Sequence, residues 1–135
     1  MYLIDTDILS NLIKRSKSAV LIAKLRQIPR EQRLTSSITI GELINGAHIL
    51  PGQTEKWLES FALSYPQDMT VLPFDEAAAR RYGELRATLE RLGTPIGDAD
   101  TRIAAIALAR RLIMIAGNVR HFGRVPNLRV ENWLA

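Results

Sequence analysis

The sequence predicts a three-layer α/β/α sandwich around a mostly parallel sheet of four or five strands. Three observations lead there. Short apolar runs alternate with stretches of helical period, the order in which parallel strands and crossover helices follow one another. The runs Tyr2-Leu3-Ile4 and Leu112-Ile113-Met114-Ile115-Ala116 lack polar alternation, as in strands covered on both faces. The first run stops at a carboxylate, Asp5, which a strand interior does not accommodate. Asp5 is therefore placed at the carboxyl edge of the sheet, where open α/β sheets bind ligands.

Taken in order, Asp7 is positioned to cap a helix from Ile8 to about Lys14, ended by the basic cluster Lys14-Arg15-Ser16-Lys17. Ser18 caps a second helix, Ala19 to about Gln27, and Pro29 stops it. Leu34 to Ile38 reads as a short strand. Thr39 and Glu42 have the spacing of a capping box, opening a helix through Leu43, Ile44 and Ala47 that Pro51-Gly52 breaks. Gln53 to about Ser64 is a further helix with Trp57, Leu58 and Phe61 on one side, and Met69 to Pro73 a strand. Asp75 caps the longest helix, about Glu76 to Leu92, where Ala78, Tyr82, Leu85, Leu89 and Leu92 form an amphipathic stripe. Gly93 ends it. After the loop Thr94-Pro95-Ile96-Gly97, Asp98 is expected to cap a helix from Ala99 to about Arg111, apolar nearly all round and so buried. Leu112 to Ala116 is the next strand, Gly117-Asn118 a sharp turn, and Leu128 to Glu131 a weaker edge strand.

A chain of 135 residues, 47% hydrophobic and 24% charged, fits one globular domain over 1–135. No basic leader precedes the first strand, and the apolar stretches are too short for a bilayer, so a cytoplasmic protein without a membrane partner is expected. The absence of cysteine excludes disulfides and Cys-type zinc sites. A net charge of +4 is compatible with a polyanionic partner. G-x-G-x-x-G after the first strand and the Walker sequence are both missing, which argues against a dinucleotide or P-loop protein.

Asp5, Glu42, Asp98 or Asp100, and Asn118 stand where strand ends and helix starts meet. Each has a plain structural reading: a strand terminator, a capping-box partner, an N-cap, a first-turn acid, a turn residue. Two residues on a helix are separated by about 200°, so Asp98 and Asp100 cannot both face one point. Asp100 shares a row with Ile103, Ala104 and Ala107, an inward face, and is assigned to the site; Asp98 is left mainly as a cap. Asp7 is likewise a cap or a supporting acid. Asp5, Glu42 and Asp100 come from separate elements and converge only if the sheet is wound as proposed. Two like charges ~4 Å apart interact unfavourably by about 4 kcal/mol at an effective dielectric near 20. Three such acids must take up protons or hold a cation, and oxygen ligands without His or Cys indicate Mg²⁺ or Mn²⁺.

Four stretches then carry a resemblance: Leu3-Ile4-Asp5-Thr6-Asp7-Ile8-Leu9; Ser37-Ile38-Thr39-Ile40-Gly41-Glu42-Leu43; Thr94-Pro95-Ile96-Gly97-Asp98-Ala99-Asp100 with Ile103-Ala104-Ala105; and Gly117-Asn118-Val119-Arg120-His121-Phe122. In this order they resemble PIN-domain ribonucleases, and among them the VapC toxins of bacterial toxin–antitoxin pairs, as does the tail Val125 to Trp133. The resemblance spans essentially the whole chain. It implies a PIN-like single domain that hydrolyses RNA with Mg²⁺ or Mn²⁺, leaving 5′-phosphate and 3′-hydroxyl ends. It also implies a homodimer and a VapB-like antitoxin that blocks the site and carries the operator-DNA contacts. Carried over by position, Asp5, Glu42 and Asp100 are the metal-binding acids, with Asn118 at the fourth catalytic position. Thr6 is a supporting residue, and Arg102, Arg120 and Arg124 are candidates for gripping the RNA backbone. His48 is read as exposed and His121 as lying at the rim.

Two departures stand out. The first motif usually reads Asp-Thr-Asn and here is Asp5-Thr6-Asp7; the fourth usually opens with Thr or Ser and here is Ala116-Gly117-Asn118. Two other readings compete. One is a PIN-like RNA- or protein-binding domain with a weakened site. The other is a haloacid-dehalogenase-like phosphatase, suggested by Asp5-Thr6-Asp7 but disfavoured by Leu9 and Arg102 at positions that family fills differently.

Overall fold

The computed structural model describes residues 1–13, 18–64 and 69–134, with the side chains of 62–64 excepted. The basic cluster Lys14 to Lys17 lies outside the described residues. Strand β1 (Tyr2–Ile4) leads into α1 (Thr6–Ile13) and α2 (Ala19–Arg26). A 3-10 turn, Arg30–Gln32, precedes β2 (Arg33–Ser36), α3 (Ser37–His48), α4 (Thr54–Ser64) and β3 (Thr70–Leu72). Then come α5 (Glu76–Arg91), α6 (Asp98–Ala109), β4 (Ile113–Ile115), α7 (Val119–Phe122) and β5 (Val130–Glu131).

The five strands form one sheet in the order β3-β2-β1-β4-β5, and every neighbouring pair is parallel. The chain winds outward through β1, β2 and β3, then crosses back to place β4 on the other side of β1. The direction of winding reverses between β1 and β4, the point where open α/β sheets form a crevice at their carboxyl ends. Register there is tight: Leu3 is opposite Met114, Ile4 opposite Ile115, and the Asp5 amide donates to the Ile115 carbonyl at 2.9 Å.

Helices cover both faces. On one, Leu3, Leu34, Leu72 and Met114 pack against α5 and α6 through Ala78, Leu85, Leu89, Ile103 and Ile106. On the other, Ile4 and Ile115 pack against α1, α2 and α3 through Ile8, Leu9, Leu21 and Leu43. The run Ile103 to Ala107 is wholly buried, as its all-round apolarity predicts. Each large aliphatic side chain removed from water here contributes on the order of 2 kcal/mol. The tail returns to the start of the chain, where Trp133 packs on Tyr2 with ring centroids 5.2 Å apart.

Several helix ends differ from expectation. α1 begins at Thr6, which puts Asp7 in its first turn and not at the cap. α3 begins at Ser37 because Ser36, at the end of β2, accepts the Thr39 amide at 3.0 Å; the Thr39–Glu42 capping box does not form. α6 begins at Asp98, with Gly97 at the cap in a left-handed conformation (φ 92°) suited to glycine. Leu92 lies just beyond α5 and is exposed, leaving the predicted stripe. The Ser18 and Asp75 caps are as predicted: they accept the amides of Leu21 and Ala78.

Candidate active site

Asp5 stands at the crevice because β1 ends at Ile4 and α1 starts at Thr6. Its side chain is only 5% exposed, and Oδ1 has no hydrogen-bond partner. Burial pushes the carboxyl up to about 8, the charges of Asp7, Asp100 and Glu42 add to the rise, and only the Thr6 amide opposes it. A buried carboxylate with a bare oxygen, in the field of three more acids, is poised to take a proton or a cation.

Freed from capping, Glu42 turns to α1. Its Oε1 accepts the Thr6 hydroxyl at 2.7 Å, which ties α3 to α1 at the carboxyl ends of β2 and β1. Asp7 also points inward: its Oδ2 accepts the Asn118 amide at 3.0 Å, while Oδ1 is buried without a partner. This contact requires a glycine at 117, since a Cβ there would lie 2.4 Å from Asp7 Oδ2.

The two acids of α6 diverge as their spacing demands. Asp98 is exposed and faces α5; it accepts the Tyr82 hydroxyl and, at 2.9 Å, Arg102 Nε. Those two partners hold its carboxyl below the ordinary range. It is neither a cap nor a member of the acidic group around Asp5. Asp100 is turned toward the strand ends, and its Oδ2 lies 3.2 Å from His121 Nδ1.

Asn118 has a role its turn propensity conceals. Its Oδ1 accepts the His121 amide at 3.2 Å and caps the four-residue helix α7. That helix is too short for any periodicity, so sequence reasoning missed it and left His121 at the rim without its contact to Asp100. The available signal was Asn118 standing three residues before His121, the spacing of an N-cap. An imidazole nitrogen thus adjoins one of the acids, beside the oxygen donors. His48 is exposed on α3, as read.

The three candidate arginines separate. Arg102 stacks over Phe74 and Tyr82, 5.2 and 5.1 Å from their ring centroids, and pairs with Asp98. Arg124 donates to the Pro95 carbonyl at 3.1 Å. Arg120 is exposed on α7.

The donor set suits a hard cation: a buried carboxylate among partly buried ones, with two buried oxygens, Asp5 Oδ1 and Asp7 Oδ1, lacking any partner. Among the described residues no three acidic or histidine side chains form a closed ligand group. Glu42 is turned to Thr6 and Asp100 to His121, so the acids share one electrostatic field without sharing one point.

Comparison with known proteins matches the PIN-domain family model over residues 2–128. The chain belongs to the PIN-domain family. Among relatives of this PIN domain, a protein of Salmonella typhimurium named tRNA(fMet)-specific endonuclease VapC is 40% identical over 100 residues, 73% of each chain. A protein of the same name from Shigella flexneri is 35% identical over 134 residues, 98% of this chain and 97% of its own. VapBC2 of Rickettsia felis, solved with a DNA fragment from its promoter, superposes with a TM-score of 0.89 at 28% identity over 98% of both chains. DNA-bound VapBC of Salmonella typhimurium gives 0.86 at 33% identity, covering 98% and 97%. The PIN domain is thus of the VapC type, and its parallel sheet is the PIN-like fold expected from sequence. The haloacid-dehalogenase reading falls with these matches. No helix among the described residues is long and apolar enough to cross a membrane.

Proposed function

We propose that this PIN domain is a Mg²⁺- or Mn²⁺-dependent endoribonuclease, the toxin of a VapBC-type pair acting in the cytoplasm. The observation that carries the reading is Asp5. It is buried at the carboxyl end of the central strand, with a bare oxygen and a pKa raised to about 8 among Asp7, Asp100 and Glu42. A fold has little reason to retain such an arrangement for stability alone. The names of the relatives, ribonucleases and endonucleases, support the reaction class.

In the reaction proposed, Asp5 and Asp100 would hold the cation, directly or through water, and Glu42 and Asn118 would complete the shell or orient the attacking water. The chemistry Mg²⁺ or Mn²⁺ would supply there is neutralisation of phosphodiester charge and a lowered pKa for bound water. Glu42, oriented by Thr6, takes a proton from the attacking water. Oxygen bonds to phosphorus as the bond to the 3′ oxygen breaks, and that oxygen is protonated from solvent. The products are a 5′-phosphate and a 3′-hydroxyl. Arg120 is placed to meet the RNA backbone, with Arg102 and Arg124 as lesser contributors already engaged within the fold.

Several neighbouring structures are VapBC complexes, and two of those hold DNA, which supports a VapB-like antitoxin as partner and operator binding through that antitoxin. A homodimer is proposed on the family resemblance. Two relatives named for tRNA(fMet) make that RNA the first substrate to try.

The test is cleavage of tRNA(fMet) and of a mixed RNA pool by purified protein, with chelator and with Mg²⁺ or Mn²⁺ restored. Cuts that vanish with chelator and return with metal are expected. Cleavage indifferent to chelator refutes the metal reading, and no cleavage of any RNA favours the binding-domain alternative.

A further inference from the structure

We infer that His121 is a positioning residue for Asp100: it fixes the carboxylate in the orientation that metal binding needs. The inference rests on the metal-dependent reading above and adds to it a residue outside the acidic set.

Three contacts in series place this imidazole. Asp7, in the first turn of α1, holds the Asn118 amide at 3.0 Å and so anchors the loop after β4. Asn118 then caps α7 through the His121 amide at 3.2 Å. The His121 ring reaches back to α6, with Nδ1 3.2 Å from Asp100 Oδ2. A carboxylate only accepts hydrogen bonds, so Nδ1 carries the hydrogen and the tautomer is set. With Oδ2 held, rotation of the carboxylate is restricted and Oδ1 is left for a ligand.

A purely stabilising role explains this poorly. The His121 and Asp100 side chains are 39% and 26% exposed, and a pair so open to water adds little to folding. Yet it is the last link of a chain of contacts joining α1, the β4 loop, α7 and α6 at the carboxyl edge of the sheet. Imidazole–carboxylate pairs beside metal ligands have this form, and losing the outer partner typically lowers metal affinity about 10- to 100-fold.

The test is Mn²⁺ binding by titration calorimetry, with no RNA present. Five proteins are compared: wild type, His121→Ala, His121→Asn, Asp100→Asn and the double variant His121→Ala with Asp100→Asn. Asn places an amide donor near the position of Nδ1. His121→Ala is expected to weaken binding about 10- to 100-fold, His121→Asn to recover most of it, and His121→Ala to add little once Asp100 is Asn. Thermal melting without metal should be nearly the same for all. If His121→Ala binds Mn²⁺ as tightly as wild type, or the two substitutions act additively, the positioning role is overturned while the metal site stands. If wild type binds no Mn²⁺, the metal reading fails and takes this inference with it.

Discussion

The Thr6 hydroxyl donates to Glu42 Oε1 at 2.7 Å, a bond between residues 36 positions apart that links the first turn of α1 to α3. Glu42 is partly exposed on α3, and this bond fixes its carboxylate. Thr6→Val keeps the shape and removes the donor. A hydrogen bond to a charged group contributes roughly 1.5–3 kcal/mol, so the cleavage rate is expected to fall about tenfold or more, with RNA affinity little changed. Single-turnover kinetics read this directly. An unchanged rate would mean that Glu42 works without an orienting partner.

Asp5→Asn and Asp100→Asn should each reduce RNA cleavage at least ~100-fold, about 2.7 kcal/mol of transition-state stabilisation, while leaving the fold intact. Gel assays with Mg²⁺ and with Mn²⁺, alongside circular dichroism, measure both. Either variant cutting as fast as wild type removes that residue from the site.

The same Asp5 substitution should raise the stability of the metal-free protein at neutral pH. The folded protein keeps a proton on Asp5 up to about pH 8, whereas the ordinary value is 3.8. The folded state therefore binds more protons across that window. The stability associated with Asp5 is full below 3.8 and is lost as pH rises through about 8. Asn has no such dependence. The advantage of Asp5→Asn is expected to be near zero at pH 4 and to grow to a few kcal/mol by pH 8. Denaturant melts in chelator across this range test it; a flat difference contradicts the raised pKa. Added Mn²⁺ should stabilise wild type and not the variant.

Gly117→Ala should be destabilising through Asp7. The new Cβ would lie 2.4 Å from Asp7 Oδ2 and 3.1 Å from Leu134 Cδ1, which drives the carboxylate off the Asn118 amide. Overpacking of this kind costs about 1–3 kcal/mol. Adding Asp7→Ala removes the clash, so the double variant should be more stable than the sum of the single changes predicts. Additive effects in thermal melts would show that the crowding lies elsewhere.

The sheet was legible because its strands carry their own signature: Leu3-Ile4 and Met114-Ile115 are apolar without alternation, and only a two-sided parallel sheet buries such runs. Asp5 was legible for the complementary reason, an acid placed directly after core. Helix starts were less so. Ser36 and Thr39 are both good caps, and only the exit direction of β2 decides for Ser36. Asp98 likewise yields to Gly97, whose left-handed backbone no propensity scale weighs against an acid one residue later. His121 was out of reach because its partner, Asp100, is 21 residues away on another helix, and no pattern in the intervening chain pairs them.

The bond from Asp7 to the Asn118 amide spans 111 residues of chain. A ribosome making this protein completes α1 early, yet the loop that Asp7 grips emerges only near the end of translation. Until β4 arrives beside β1, the acids from the earlier elements have no partner wall and Asp100 has no place beside them. A site wired in this way is assembled last, when β4 closes against β1 and the loop after it reaches Asp7.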